Sequence, residues 1–180
     1  SDVTKLMAGT YTQIKNPWAF GYDFLFDSVT DIANGDYFQN YAMGISSYSD
    51  GWFSGCWTQT YNVVQRANTT IRLLSNAEVG TGAGEITAAM RDQGIAEAKF
   101  LRALGYFRLT CLFGDIPYYD ETCILADKFS NMYVEFSSAA EVREKIIVDL
   151  NDAEKALPSA WDTNNYGRAT KWAAIALRGK

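Results

Sequence analysis

The chain has 180 residues, 48% of them hydrophobic and 14% aromatic, with no histidine and a formal net charge of -5. That is enough for one domain with a sizeable core, or for a piece of a larger one. The acidic balance and the lack of any arginine-rich stretch exclude nucleic acid as a partner, and the missing histidine removes Ser-His-Asp and Cys-His catalysis, so any enzymatic reading rests on carboxylates.

The spacing predicts a short helix over residues 4–15, with Leu6, Met7, Tyr11 and Ile14 inward and Asp2 or Thr4 as its cap. Residues 16–56 differ: Trp18, Phe20, Tyr22, Phe24, Phe26, Tyr37, Phe38, Tyr41, Tyr48, Trp52 and Phe53 stand among Gly, Asn, Asp and Ser. The period is unclear here, Tyr22 to Ile32 being the stretch that reads as a helix, and turn formers dominate from Asn34 onward. A long aromatic loop is either packed down by its own rings or kept for binding. Asp27, Asp31 and Asp36 do not match the spacing of a calcium loop.

A clean helical repeat returns over Trp57–Leu74, with Trp57, Tyr61, Val64, Ala67, Ile71 and Leu74 on one face. Ala77–Glu85 is a glycine-rich connector with neither the Gly-Lys-Ser/Thr ending nor the preceding strand of a phosphate loop. The next helix begins near Glu85 or Ile86 and is apolar on most faces. Ala96, Phe100, Ala103, Phe107 and Cys111 form one stripe, and Ala98, Leu101, Leu104, Leu109 and Leu112 a broader one. Such a helix is central and packed on several sides. Gly114 stands at its C-cap and Pro117 beyond it. Arg102 lies close to both stripes, so it requires a carboxylate or carbonyl partner.

Tyr118, Tyr119, Asp120 and Glu121 follow irregularly and are candidates for a groove or a protein contact. Asp115 is expected to cap its turn, and Asp149 to pair with a Lys or Arg. Ser138-Ala139-Ala140-Glu141 is a capping box. The helix it opens turns Val142, Ile146, Leu150, Ala153 and Leu157 inward and stops at Pro158. Thr170 caps a last helix with Trp172, Ala173, Ala176 and Leu177 expected inward. Of the three cysteines, Cys111 reads as a small buried hydrophobe, a disulfide to Cys123 being the competing reading. Paired helices without an alternating strand pattern predict a mainly α fold of tetratricopeptide-like hairpins with long aromatic-rich loops, as a single helical unit over 1–180. The strict tetratricopeptide consensus is not met.

The run Glu97-Ala98-Lys99-Phe100-Leu101-Arg102-Ala103-Leu104-Gly105-Tyr106-Phe107, closed by Phe113-Gly114-Asp115-Ile116-Pro117, closely resembles the signature helix of the SusD/RagB family of glycan-binding lipoproteins on the Bacteroidetes surface. Four other segments are similar to that family in the same order: Leu6–Ile14, Trp57–Leu74 with its Arg66-Ala67-Asn68, Glu141–Pro158, and Gly167-Arg168-Ala169-Thr170-Lys171. Family members are generally longer, so the resemblance implies an N-terminal portion. The lipidated cysteine of the family is not in this sequence, and any membrane attachment is expected through that anchor alone.

The resemblance implies a non-catalytic, surface-exposed outer-membrane receptor. It would bind an oligosaccharide or polysaccharide and hand it to a SusC-like TonB-dependent transporter, with no cofactor and no metal. A sugar site needs rings to stack on pyranose C–H faces and polar groups for the hydroxyls. Asp36, Tyr37, Tyr48, Asp50 and Trp52 combine the two on turn-rich backbone and are the candidate ligand contacts. Trp18 and the Phe20/Tyr22/Phe24/Phe26 series read instead as rings that pack the loop onto helices, and Trp57 and Tyr61 as core. Two competing readings are a tetratricopeptide-like protein scaffold that binds no glycan and a helical glycosidase with two carboxylates across a cleft.

Overall fold

A computed structural model describes residues 2–21, 43–45, 47, 51–123 and 134–180. Among these, five α-helices carry the fold: α1 (Asp2–Ile14), α2 (Gly51–Ser75), α3 (Ala88–Phe113), α4 (Ala139–Ala156) and α5 (Lys171–Arg178). A π-helical turn at Pro17–Gly21 follows α1. Two short strands, β1 (Ile116–Pro117) and β2 (Phe136–Ser137), pair antiparallel between α3 and α4, with Ile116 opposite Ser137. The fold is mainly α, as predicted.

The central helix is α3, packed against α1, α2 and α4. One core lies between α2, α3, α4 and α5 around Val64, Tyr106, Leu109, Val142 and Leu150, and a smaller one joins α1 to α2 and α3 through Val3, Met7, Leu74 and Leu101. Thr87 caps α3, its side chain accepting from the Met90 N–H at 3.2 Å, so the helix starts a little later than Glu85 or Ile86. Glu85 instead folds back to accept the Gly82 N–H at 2.6 Å. At the other end Gly114 adopts a φ of 72° and donates its N–H to the Thr110 carbonyl, 3.1 Å away. A side chain with a Cβ would be strained there.

Three further expectations, on α2, the cysteines and α5, change. First, α2 begins at Gly51 rather than Trp57, so its opening turns run through the Gly-, Ser- and aromatic-rich stretch that reads locally as loop. Packing accounts for the difference: Cys56 is buried, and the Trp18 ring lies so close to Gly55 that an added Cβ would stand 2.7 Å from it. Second, Cys111 is exposed, and all three cysteines are free. Third, α5 turns Ala174 fully inward, with Leu177 against the core, and leaves Trp172 56% exposed. The Lys171 N–H bonds the Pro158 carbonyl at 3.0 Å as the chain turns into α5, which sets the rotation of the helix.

The capping box is complete, with the Ser138 side chain taking the Glu141 N–H and the Glu141 carboxylate the Ser138 N–H. Asp115 does not cap its own turn. Its Oδ1 accepts the Ala139 N–H at 2.8 Å and so adds to the α4 cap across the strand pair. All five residues predicted inward on α4 (Val142, Ile146, Leu150, Ala153 and Leu157) are buried.

Candidate functional site

The segments that carry the family resemblance meet in two buried polar networks. In the first, the Arg102 guanidinium donates to both oxygens of Asp149 at 2.7 Å, to Asn68 Oδ1 at 2.8 Å, and to Glu121. Arg102 and Asp149 are both buried. Burial works against the Arg102 charge, yet the Asp149 hydrogen bonds and charge hold it above the ordinary arginine range. The partner required by a buried guanidinium is thus supplied three times over, by α2, α4 and the segment after β1.

In the second network, Glu97 is fully buried on α3 and accepts from the Arg168 fork, with Nε–H at 2.9 Å. Tyr11 on α1 donates its hydroxyl proton to the same carboxylate at 2.8 Å and accepts the Ala169 N–H at 2.8 Å. Arg168 also bonds Asn165 Oδ1 at 2.7 Å and lies 3.9 Å from the centre of the Trp161 ring. Burial, reinforced by the Glu97 charge, pushes the Tyr11 phenol well above its usual range, so it stays a donor. The Tyr11, Glu97 and Gly167-Arg168-Ala169 motif positions therefore latch α1, α3 and the lead into α5 together. Their work is architectural. Glu97 escaped prediction, although its place one turn before Leu101 on an apolar stripe was the signal for an inward acid.

The first network also holds a surface. Residues 117–121 are pinned at four points besides Glu121. Tyr61 donates its hydroxyl to the Pro117 carbonyl at 2.6 Å, the Tyr106 hydroxyl donates to the Tyr119 carbonyl at 2.7 Å and takes the Tyr119 N–H at 2.6 Å, and Asn68 donates to the same carbonyl at 3.0 Å. Rings follow this backbone. Tyr118 stacks on Tyr106 with centroids 4.7 Å apart, Tyr119 meets Tyr61 edge-on at 6.0 Å, and Trp57 contacts both Tyr61 (4.9 Å) and Phe113 (5.0 Å). Phe53, Trp57 and Tyr61 stand four residues apart on α2 and are half-buried, the latter two packed on the core. Burial pushes the Tyr118 phenol up to about 12. Burial would also raise Glu121, but the Arg102 hydrogen bond outweighs it and holds the carboxyl below its usual value.

Of the five predicted ligand contacts, Trp52 lies in the first turn of α2, half-buried, with its ring 4.9 Å from Phe53 in an edge arrangement. It therefore rides on a helix rather than on turn-rich loop, at the end of the Phe53–Trp57–Tyr61 ridge. Asp36, Tyr37, Tyr48 and Asp50 lie outside the described residues, as do the Tyr22–Ile32 helix, Phe24, Phe26 and the Asp27/Asp31 pair. Trp18 and Phe20 pack as expected of loop-anchoring rings, Trp18 on Gly55 and Phe20 5.3 Å from the Arg108 guanidinium.

A family model, SusD-like, described as "Starch-binding associating with outer membrane", matches residues 7–180. The SusD-like protein P25 of Formosa agariphila is 28% identical over 194 residues, a match covering all of this chain and 35% of that protein. Among solved structures, a SusD superfamily protein from Bacteroides vulgatus superposes over 99% of this chain and 38% of its own, with a TM-score of 0.79 at 22% identity. Surface glycan-binding protein A from Bacteroides fluxus is 29% identical, covering 69% of this chain and 24% of its own, with a TM-score of 0.58. The chain thus spans about a third of the length of P25. No helix among the described residues is long and apolar enough to cross a membrane.

Proposed function

Because the chain belongs to the SusD-like family, we propose that it serves as a non-catalytic glycan-binding protein at the bacterial cell surface. In this reading it is attached to the outer membrane by a lipid anchor and delivers oligosaccharide to a SusC-like TonB-dependent transporter. The observation that carries the proposal is the match of residues 7–180 to a family described as starch-binding and associated with the outer membrane. A relative named as a surface glycan-binding protein, at 29% identity, supports the same class of ligand.

The residues proposed to meet the glycan are Asp36, Tyr37, Tyr48, Asp50 and Trp52. Trp52 supplies a ring of the kind that stacks on a sugar face, and the acidic residues near it in sequence supply hydroxyl acceptors. Neither buried network is available for catalysis. Asp149 and Glu97 are each taken up by a guanidinium, so neither is free as an acid or base for glycosidic cleavage.

Binding to a polysaccharide panel, measured by affinity gel and calorimetry, tests the proposal. One glycan should bind, and Trp52→Ala should weaken it about tenfold or more, roughly 1.4 kcal/mol. A folded chain that binds nothing on the panel, or a Trp52→Ala variant that binds equally well, counts against the assigned site. Release of reducing ends would overturn the non-catalytic reading.

A further inference from the structure

The Arg66-Ala67-Asn68 run is absorbed by packing at only two of its three positions. Ala67 is buried in the helix contact, and Asn68 is committed to Arg102 and the Tyr119 carbonyl. Arg66 is exposed and lines a polar cleft of about 420 Å³ between α1 and α2, together with Gln13, Asn62, Gln65 and Thr69. Every one of these side chains carries a polar end group, and Arg66 is the only charged one.

Part of this lining is pre-oriented. Asn62 donates to Gln59 Oε1 at 3.1 Å, an oxygen that also takes the Asn16 amide at 2.9 Å, which leaves the Asn62 carbonyl oxygen open. Thr69 donates to the Gln65 carbonyl at 2.9 Å and keeps its oxygen as an acceptor. Among the described residues no carboxylate pairs with Arg66. The cleft therefore offers one planar, bidentate cation beside three amide side chains, which both donate and accept, and one hydroxyl. It has no aromatic platform and little apolar surface.

We propose that this cleft is a subsite for an anionic sugar unit, its carboxylate or sulfate on the Arg66 guanidinium and its ring hydroxyls on the Gln13, Asn62 and Gln65 side chains. The proposal rests on the glycan reading above and adds the charge class of the ligand. A guanidinium fork matches the paired oxygens of a carboxylate or sulfate, and vicinal hydroxyls need neighbours that donate and accept, as primary amides do. A cleft of this size admits one or two sugar rings. An acidic peptide could satisfy Arg66, but it would leave the amide array without its hydroxyls.

The test is a heteronuclear NMR titration of the full chain that follows the side-chain amides of Gln13, Asn62 and Gln65. Glucuronate, glucose 6-sulfate and glucose are each added to about 50 mM, a range suited to millimolar affinity. Arg66→Gln and Arg66→Lys are titrated alongside, and a peptide of glutamates serves as a control. The three amides should respond to one or both anionic sugars about tenfold more strongly than to glucose or the peptide. Arg66→Gln should abolish the preference and Arg66→Lys keep part of it, since Arg66 is exposed and neither change disturbs the core. An equal response to glucose or peptide, a preference that survives in Arg66→Gln, or no response at all overturns the subsite. If a panel glycan binds and weakens with Trp52→Ala while these amides stay still, the cleft proposal fails and the family-level reading stands.

Discussion

Glu97 and Arg168 lie 71 positions apart in the chain and close on each other through two hydrogen bonds, with the Glu97 side chain wholly out of solvent. This pair ties the middle of the central helix to the turn that launches α5, and Tyr11 adds the first helix to the same carboxylate. A carboxylate removed from water is tolerable only while its partners stay in place. The latch therefore makes the closing of α1, α3 and α5 cooperative.

Removing one partner should cost far more than the pair contributes net. Arg168→Ala strands a buried carboxylate on one phenol and should destabilise the chain by about 3 kcal/mol or more. Tyr11→Phe, which removes one hydrogen bond to that charged group and one to the Ala169 N–H, should cost about 2 kcal/mol. Urea unfolding followed by circular dichroism measures both. Costs within a few tenths of a kcal/mol of zero would mean that the latch contributes nothing to stability.

The Arg102 network predicts an ordering and a pH dependence. Asp149→Ala should destabilise by about 3–5 kcal/mol, well above Glu121→Gln, because Asp149 is buried and bidentate while Glu121 is partly open to solvent. The Glu121 carboxyl is lowered in the folded state. Its contribution is thus fully present above the unfolded glutamate value near 4.3 and is lost as pH falls through the folded value. Burial raises the neighbouring Asp149, whose contribution runs the opposite way, so the comparison must isolate Glu121. The stability gap between the native chain and Glu121→Gln should shrink between about pH 7 and about pH 3. A gap independent of pH would contradict the pairing.

Much of this framework is legible in the sequence because it follows from local rules. The Ser138/Glu141 box, the Gly114 cap, the apolar repeat of α4 and the need of Arg102 for a carboxylate each depend on spacing or on a single residue's chemistry. What escapes is what only tertiary contact decides. Gly51 to Cys56 has weak helical propensity and is helical because Trp18 packs on Gly55 and Cys56 is buried. Trp172 reads as inward with the apolar face of its helix, yet the Lys171–Pro158 hydrogen bond helps set a rotation that turns Ala174 in instead. Glu97 and Arg168 sit in separate motifs, and nothing local announces that they meet. Among the candidate ligand contacts the sequence supplied residue types suited to sugars, and for Trp52 the structure adds a helical platform.

Two glycines of α1 and α3 should behave in opposite ways. Gly9 is exposed in the middle of α1, and a Cβ there would meet nothing within 4 Å, so Gly9→Ala should stabilise by about 1 kcal/mol through helix propensity. Gly105 lies where α3 crosses α2, and its Cβ would come 3.1 Å from Val64 Cγ2 and 3.7 Å from the Thr60 carbonyl. Gly105→Leu should therefore force the two helices apart and cost about 3 kcal/mol. Thermal unfolding of the two variants decides the matter. Tolerance of leucine at 105 would show that the α2–α3 contact yields more readily than its distances suggest.

The ridge of rings on α2 allows core and ligand roles to be separated by one pair of variants. Trp57 touches Tyr61 and Phe113 and packs on the main core, whereas Trp52 lies in the first turn against Phe53. Trp57→Ala should lower stability by about 3 kcal/mol, and any loss of glycan binding should track the loss of folded protein. Trp52→Ala should leave the unfolding midpoint nearly unchanged while weakening glycan binding about tenfold. The two measurements are independent, so they can disagree. If Trp52→Ala unfolds the chain as Trp57→Ala does, its ring is a core element and the glycan face must be sought elsewhere. If Trp57→Ala stays folded and still loses the glycan, the ligand surface extends along the ridge toward Tyr61 and Tyr119. The pinning of residues 117–121 by Tyr61, Tyr106, Asn68 and Arg102 would then serve to hold that surface in place.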